Sequence, residues 1–354
     1  MALLLHSKKV MPMKNTKYIG FSFILICSTP ALSEPLDFYG RLWLGVANSS
    51  NGLSGNEKVD GFSLENYASY LGVKGEYSVY DNFSLLYKFE AGIESFDNDD
   101  SNIFKPRNSY LGFKTNYGSA VFGRNDTVFK SAEGKVDLFN ITSSDMNMII
   151  AGNDRLGDSV TLNSAKVAGV TMGISYVFDK DFNQKNPELS DKQNNYAISF
   201  SLGDAALKKN SHYISIAYAD GLNQLEATRL VGGVAISSVK LGAMYQRSES
   251  SIYDNIKGNS YLLSMVVPIN KYDIKFQYLK DDAGLGKVTK NAGADLKTLK
   301  ESDASQYSVG VDFKAQKDLT FGVGISYFDG DYTDVKGHTE FDDTLIFVST
   351  RYLF

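Results

Sequence analysis

The sequence predicts an all-β fold: a transmembrane antiparallel β-barrel of about sixteen strands, an even number of the kind outer-membrane barrels use. Three observations predict it. Large apolar residues alternate with small or polar ones from Leu36 to the last residue, the signature of strands with two unlike faces. The alternating runs reach about 10 residues, enough for a tilted strand to cross a bilayer and longer than the ~5–6 usual in soluble sheets. The connections alternate in kind. They are short at Asp81–Asn82, Ala168–Gly169 and Lys317–Asp318, and long over 48–61, 181–193, 283–302 and 330–341. Short turns at one rim and long loops at the other describe such a barrel.

The strands follow in chain order. DFYGRLWLGVA places Asp37, Tyr39 and Arg41 on one face and Phe38, Leu42 and Leu44 on the other. YLGVKGEYSV sets Leu71, Val73, Tyr77 and Val79 against Tyr70, Lys74, Glu76 and Ser78. VTMGISYVF alternates Val170, Met172, Ile174, Tyr176 and Phe178 with Thr171, Gly173 and Ser175. HYISIAY and QYSVGVDF read alike, and YDIKFQYLK opposes Tyr272, Ile274, Phe276 and Tyr278 to Asp273, Lys275 and Gln277. LTFGVGISYF is the purest case: Leu319, Phe321, Val323, Ile325 and Tyr327 on one side, Thr320, Gly322, Gly324 and Ser326 on the other. A soluble barrel would bury the oily side; here the small and charged side would line a wet lumen. Tyr and Phe, 22 of each, crowd the strand ends as interfacial girdles require. The alternative is a secreted β-sandwich with aromatic strands.

The amino terminus reads as a targeting segment. From Met13, Lys14 and Lys17 form a charged region, YIGFSFILIC a short apolar core, and Ala31 and Ser33 the small positions before a cleavage site. Residues 1–33 are therefore expected to be a signal peptide, with 1–12 an upstream extension, and 34–354 a single barrel domain. The apolar core is shorter than the about 20 residues that span a bilayer. Cys27 is the only cysteine and would leave with the signal, so the mature chain would carry no thiol chemistry. The whole chain has 36 basic and 41 acidic residues; without the four lysines of 1–33 the balance is 32 to 41, or −9. Moderate acidity argues against nucleic acid as a partner and mildly favours cations in a pore.

One block carries a specific resemblance. In SYLGFKTNYGSAVFGRNDTVF, residues 109–129, a strand ends Leu-Gly-Phe-Lys, turns at Tyr-Gly and returns to Phe-Gly-Arg. With the opening DFYGRLWLGVA and the closing VSTRYLF, this resembles the general diffusion porins of Gram-negative outer membranes. The similarity covers Leu36 to Phe354. It implies a homotrimer of sixteen-stranded barrels in the outer membrane, passing small hydrophilic solutes and ions, in contact with lipopolysaccharide and outer-membrane lipid. It implies no cofactor. The final strand, with Phe354 last and Tyr352 on its face, resembles the segment read by the barrel-assembly machinery.

The resemblance also implies a third loop folded into the pore, here NDTVFKSAEGKVDLFNITSSDMNMIIAGND, Asn125 to Asp154. About 30 structureless residues are unusual unless functional. Acids on that loop would face basic side chains on the barrel wall. Carried over by position, the wall is Arg41, Arg107, Arg124 and Arg155, with Tyr70 where the family often has another arginine. On the loop Asp137 falls on an expected acid position, the next is Ile141, and Glu133 and Asp145 stand nearby. Opposite charges across a narrow wet gap would set selectivity. Arg41 and Arg155 have lumen parity independently of the resemblance. The pattern around Arg107 and Arg124 is less clean, as strands packed on trimer neighbours would be.

Other functions find weaker support. An outer-membrane phospholipase would need a His paired with a nucleophilic Ser, yet His6 leaves with the signal, His212 flanks a turn and His338 falls in an expected long loop. GLGKVT, 284–289, lacks the first glycine and the Ser/Thr of a phosphate loop and reads as a flexible surface loop. DNDD, 97–100, has no EF-hand frame, so no metal site is assigned. The alternative within the fold is a substrate-specific oligosaccharide channel, for which Tyr39, Trp43, Tyr70 and Tyr213 have the parity to stack sugars.

Overall fold

The computed structural model describes residues 36–55, 58–96, 102–178 and 194–354. The expected signal peptide with Cys27, the DNDD cluster and the loop 181–193 lie outside the described residues. Seventeen strands form one antiparallel sheet. They are β1 Asp37–Ser49, β2 Gly61–Asn66, β3 Tyr70–Tyr80, β4 Phe83–Ile93, β5 Phe104–Thr115 and β6 Gly118–Asp126. The middle of the sheet comprises β7 Arg155–Ser164, β8 Val170–Val177, β9 Tyr196–Gly203, β10 His212–Leu222, β11 Leu225–Ile236 and β12 Val239–Ser250. It finishes with β13 Lys257–Ile269, β14 Tyr272–Asp281, β15 Glu301–Lys314, β16 Leu319–Asp334 and β17 Gly337–Leu353. β2 and β3 pair in turn with one edge of β1, so they are a single stave broken at Tyr67–Ser69, and the barrel has sixteen staves.

Closure is made by β1 against β17, in register from Arg41 opposite Leu353 to Ser49 opposite Leu345. Gly40 extends it, donating its N–H to the Phe354 carbonyl at 2.8 Å and accepting from the Phe354 N–H at 3.2 Å. With both edges joined, none of the described strands is left as an open edge, which is the condition for a sheet to sit in hydrocarbon. No described helix is long and apolar enough to cross a membrane.

The two faces behave as the alternation requires. Along β16 the odd residues Val323, Ile325 and Tyr327 are 42–47% exposed to the outside, while Ser326 is fully buried within. Phe38, Leu230, Val309 and Val348 likewise point out.

Two expectations are corrected. The long loop expected over 330–341 is a hairpin: β16 and β17 stay paired up to Asp334 opposite Gly337, with only Val335 and Lys336 between them. Its Asp- and Gly-rich composition reflects strands continuing into water beyond the bilayer, and His338 lies on β17. The stretch 284–289 is not a flexible surface loop. It leads into a short helix, α1, Lys287–Asn291, whose Val288 and Thr289 are buried. Gly286 sits so close to the Met148 and Ile149 carbonyls that any Cβ there would overlap them.

Lipid-facing and lumen-facing positions should therefore differ sharply in tolerance. Val323→Lys is expected to destabilise the barrel by roughly 2–4 kcal/mol in denaturant unfolding from bilayers. Ser78→Lys, on the exposed lumen face, should stay within about 0.5 kcal/mol.

Candidate functional site: a seated loop facing an arginine wall

The segment between β6 and β7 runs inside the barrel along the inner faces of β8 to β17. It opens with Thr127 capping a single helical turn, Val128–Ser131, and contains a 3-10 turn, Met146–Met148, capped by Asp145. Its large side chains Val128, Phe129, Val136, Phe139, Met146, Ile149 and Ile150 are buried. They find room because the wall is bare where they land. A Cβ on Gly173 would stand 2.8 Å from Val128, on Gly242 2.9 Å from Val136, and on Gly310 2.9 Å from Phe139. The small residues that alternate along the strands thus form sockets for the loop as well as a wall for water, and this part of the interior is filled by side chains. Truncating a side chain seated like Phe139 costs about 3–5 kcal/mol in comparable cores.

Polar contacts fix the same seat. Arg229, fully buried, donates to the Phe129 carbonyl at 3.2 Å, the Ala151 carbonyl at 3.2 Å and Gln246 Oε1 at 2.7 Å. It binds both arms of the loop at once. Gln277 accepts from the Leu138 N–H at 2.7 Å and donates to Asp137 at 3.0 Å. Gln306 donates to the Ser144 carbonyl at 2.7 Å, and Tyr213 to the Ala132 carbonyl at 3.0 Å. None of these four anchors was singled out as such in the sequence. Arg229 could have been, since it shares the inward parity of Ala227 and Val231.

The loop acids lie on the loop but turn into it. Asp137 accepts from the N–H groups of Phe139 and Met146, and Asp145 from those of Ile141 and Asn147. Glu133 accepts from Asn140 at 3.1 Å, its other oxygen buried without a partner. Ile141 is held at φ +78°, a strained conformation for a β-branched residue, by the Asp145 carboxylate bonded to its N–H. Burial, with Asp137 nearby, pushes the Glu133 carboxyl up to about 8; burial and Asp145 push Asp137 upward as well. The side chains that the loop leaves exposed or partly exposed include Lys130, Ser131, Lys135, Leu138, Asn140, Ile141, Asn147 and, at its end, Asp154.

The wall left uncovered by the loop carries the predicted cations together. The Arg41 and Arg107 guanidiniums lie over the Tyr70 ring, 4.9 and 4.7 Å from its centroid. Arg41 also lies 5.3 Å over Trp43, which Arg351 covers from 5.0 Å. The residue standing in an arginine's place is thus the spacer of an alternating ladder: Arg351, Trp43, Arg41, Tyr70, Arg107. Stacking holds guanidiniums side by side that would otherwise repel. Glu90 sits at its foot, 3.6 Å from Arg107 and 3.2 Å from Lys88, with Tyr39 donating at 3.1 Å. Arg155 pairs with Asp126 at 3.0 Å and donates to Asn108 at 2.7 Å, and Asp126 also meets Lys130 of the loop. Arg124 donates to the Arg155 carbonyl at 3.3 Å. The unclean pattern around Arg107 and Arg124 has a local cause: the register shifts opposite Phe89–Ala91 and again at Gly123–Asn125. Such irregularities re-aim side chains, here bringing both Arg107 and Asn108 into the cluster. Among the described residues no His/Cys/Asp/Glu group could hold a metal.

Comparison with known proteins agrees with the barrel fold. The sequence pattern of a family described as Gram-negative porin matches residues 22–333. No curated protein matches. Among solved structures, OmpT of Vibrio cholerae in a trimer form is similar at 17% identity and TM-score 0.65, covering 90% of this chain and 99% of that one. An anion-selective porin from Comamonas acidovorans has 16% identity and TM-score 0.65, with 90% and 99% covered. OmpF of Salmonella typhi, in complex with daunomycin, has 16% identity and TM-score 0.62, with 90% and 97% covered.

The buried acids give the loop a pH signature. Glu133 is held protonated in its seat by burial and Asp137, opposed by Arg229 and Lys130, so its native-state value exceeds its ordinary 4.5. Its stabilising share is complete below about 4.5 and is lost as pH climbs through about 8. Amide exchange of residues 133–145, corrected for intrinsic rates, should accelerate relative to the barrel strands between those limits. Glu133→Gln should flatten the trend.

Proposed function

The chain belongs to the Gram-negative porins, and we propose from that premise that its outer-membrane channel is a general diffusion pathway filtered between the seated loop and the arginine wall. The observation that carries this reading is the ladder of Arg351, Trp43, Arg41, Tyr70 and Arg107, which starts at the lower end of β17 and climbs the wall of β1, β3 and β5 that the loop leaves bare. A solute passing the loop has to pass these guanidiniums. Arginine stays charged at any relevant pH, so the filter is permanent.

The expected facing rows of opposite sign take a modified form in this reading. Glu133, Asp137 and Asp145 serve to hold the loop's shape, and the counter-charges in the gap are Glu90 and Asp126 on the wall itself. Cations then outnumber carboxylates at the narrowest level, which favours anions there despite the acidic balance of the whole chain. The description of the similar Comamonas structure as anion-selective supports this direction.

The oligosaccharide alternative loses ground on the same geometry. Trp43 and Tyr70 have faces taken up by guanidiniums, and Tyr213 is buried beneath the loop. Fold and family point to a channel rather than an enzyme, and we assign no catalytic residue and no cofactor. His212 is exposed at the short-turn rim, and His338 stands 3.8 Å from Glu340 on the far hairpin.

We further assign residues 1–33 to a removed signal peptide and 34–354 to the barrel. A homotrimer is supported by the trimer form of the similar Vibrio structure and by the apolar outer faces of β1 to β6, where Phe38, Phe62 and Phe89 stand out. Contact with lipopolysaccharide and outer-membrane lipid is supported by the apolar outer faces of the remaining strands, where Val309, Val323 and Ile325 are exposed. Phe354 and Tyr352, stacked with ring centroids 5.9 Å apart and half exposed, are available to the barrel-assembly machinery as a terminal signal.

Two recordings in planar bilayers test the filter. Neutralising Arg107 and Arg155 together, each to Gln, should shift the reversal potential in a salt gradient toward cation selectivity; an unchanged potential would refute the assigned wall. Excising residues 133–145 should raise single-channel conductance, and no increase would mean the loop does not narrow the pore.

A further inference from the structure

A second feature of the lumen lies on the other side of the loop from the long connections. The turn between β9 and β10, residues 204–211, folds inward under the loop. Asp204 orders it, accepting the N–H groups of Ala206, Lys208 and Lys209 at 3.0, 2.8 and 2.7 Å. Leu207 reaches the bare inner face of β11, so that a Cβ on Gly233 would lie 3.6 Å from it. Lys240 on β12 donates to the Ala206 carbonyl at 2.6 Å and pins the turn there.

Between this turn and the loop lies a cavity of about 510 Å³. Its cations are Lys135 from the loop, Lys208 from the turn, and Lys240, Lys314 and Arg351 from the wall. Asp273 is the one carboxylate among its described lining residues, and Lys314 already pairs with it at 2.5 Å. Val136, Leu138, Leu207, Val266 and Pro268 supply an apolar floor. The wall residues all come from strand ends at the short-turn rim, so the cavity lies beneath the constriction. Arg351 belongs both to this cavity and to the ladder, over Trp43.

We propose that this cavity is a binding subsite for organic anions with an apolar body, the carboxylate held by Lys135 and Lys208 and the body laid on Leu138 and Leu207. The size suits a ring-sized solute with water around it, since ligand pockets run about 300–1,000 Å³. An excess of fixed positive charge over a low-dielectric apolar surface concentrates such a solute more than either feature would alone. A small inorganic anion gains only the charge, and a cation of the same shape is repelled. The subsite would follow the arginine ladder on the route through the pore, with Arg351 as the hand-over residue. The inference rests on the loop-narrowed lumen proposed above, so its test has to separate the two.

The test uses the whole protein reconstituted in planar bilayers at low salt, with benzoate, acetate and benzylammonium as probes. Benzoate is expected to block the chloride current saturably, with faster onset from the short-turn side; acetate and benzylammonium should give no saturable block. Lys135→Gln with Lys208→Gln should weaken the benzoate block about tenfold, two charges being removed from near the carboxylate. Leu207→Ser should weaken it severalfold, while Lys336→Gln on the far hairpin leaves it unchanged. Conducting channels with no saturable benzoate block, or a block indifferent to the lysine pair, would overturn the subsite and leave the porin reading standing. Absence of any conductance steps from folded protein would instead strike the porin reading itself.

Discussion

In hydrocarbon an unpaired backbone amide has no water to turn to, and every other feature of this chain answers to that constraint. It demands closure, which β1 and β17 provide down to the Gly40–Phe354 pair. Closure fixes which side is in and which is out, and the period of two then sorts every side chain onto lipid or lumen. From there the interior has to be filled or left wet. This barrel does both: the wall from β8 to β17 seats the loop, and the wall of β1 to β7 carries Arg41, Arg107, Arg124 and Arg155.

The seat of the loop is built like a protein core inside a channel. Aromatic and aliphatic knobs sit in glycine sockets, and Arg229, Gln277 and Gln306 satisfy carbonyl and amide groups that would otherwise be stranded. An edge-to-face chain runs from Phe139 through Phe347 and Tyr67 to Trp43, with ring centroids 6.4, 6.1 and 5.6 Å apart. It joins a buried side chain of the loop to the arginine ladder in unbroken contact. The width of the gap and the position of its charges are therefore set by one packed unit, and loosening the loop at Glu133 or Asp137 would be felt at the wall.

Much of this was legible because period two is a strong signal and survives along most of the described strands. Parity alone placed Arg41 and Arg155 in the lumen, and the resemblance brought Arg107 and Arg124 to the same cluster. What parity cannot see is a register shift. The irregularities beside Ala91 and Asn125 blur the pattern where the site is densest. Nor does a sequence say whether a loop acid faces water or its own backbone; Asp137 and Asp145 are next to N–H groups only once the loop has folded. The Asp- and Gly-rich 330–341 stretch misled for a related reason. Polar composition marks the aqueous side of the membrane, and strands can continue there.

The central claim is that the two faces of each strand meet different solvents. Spin labels placed singly along residues 71–79 of β3, on wall that the loop leaves bare, test it most directly. In barrels reconstituted as monomers, so that no neighbouring protomer covers this face, collision with dissolved oxygen should peak at positions 71, 77 and 79, and collision with a water-soluble nickel chelate at 74, 76 and 78. Two profiles in phase, or chelate access confined to the oily positions, would contradict the account.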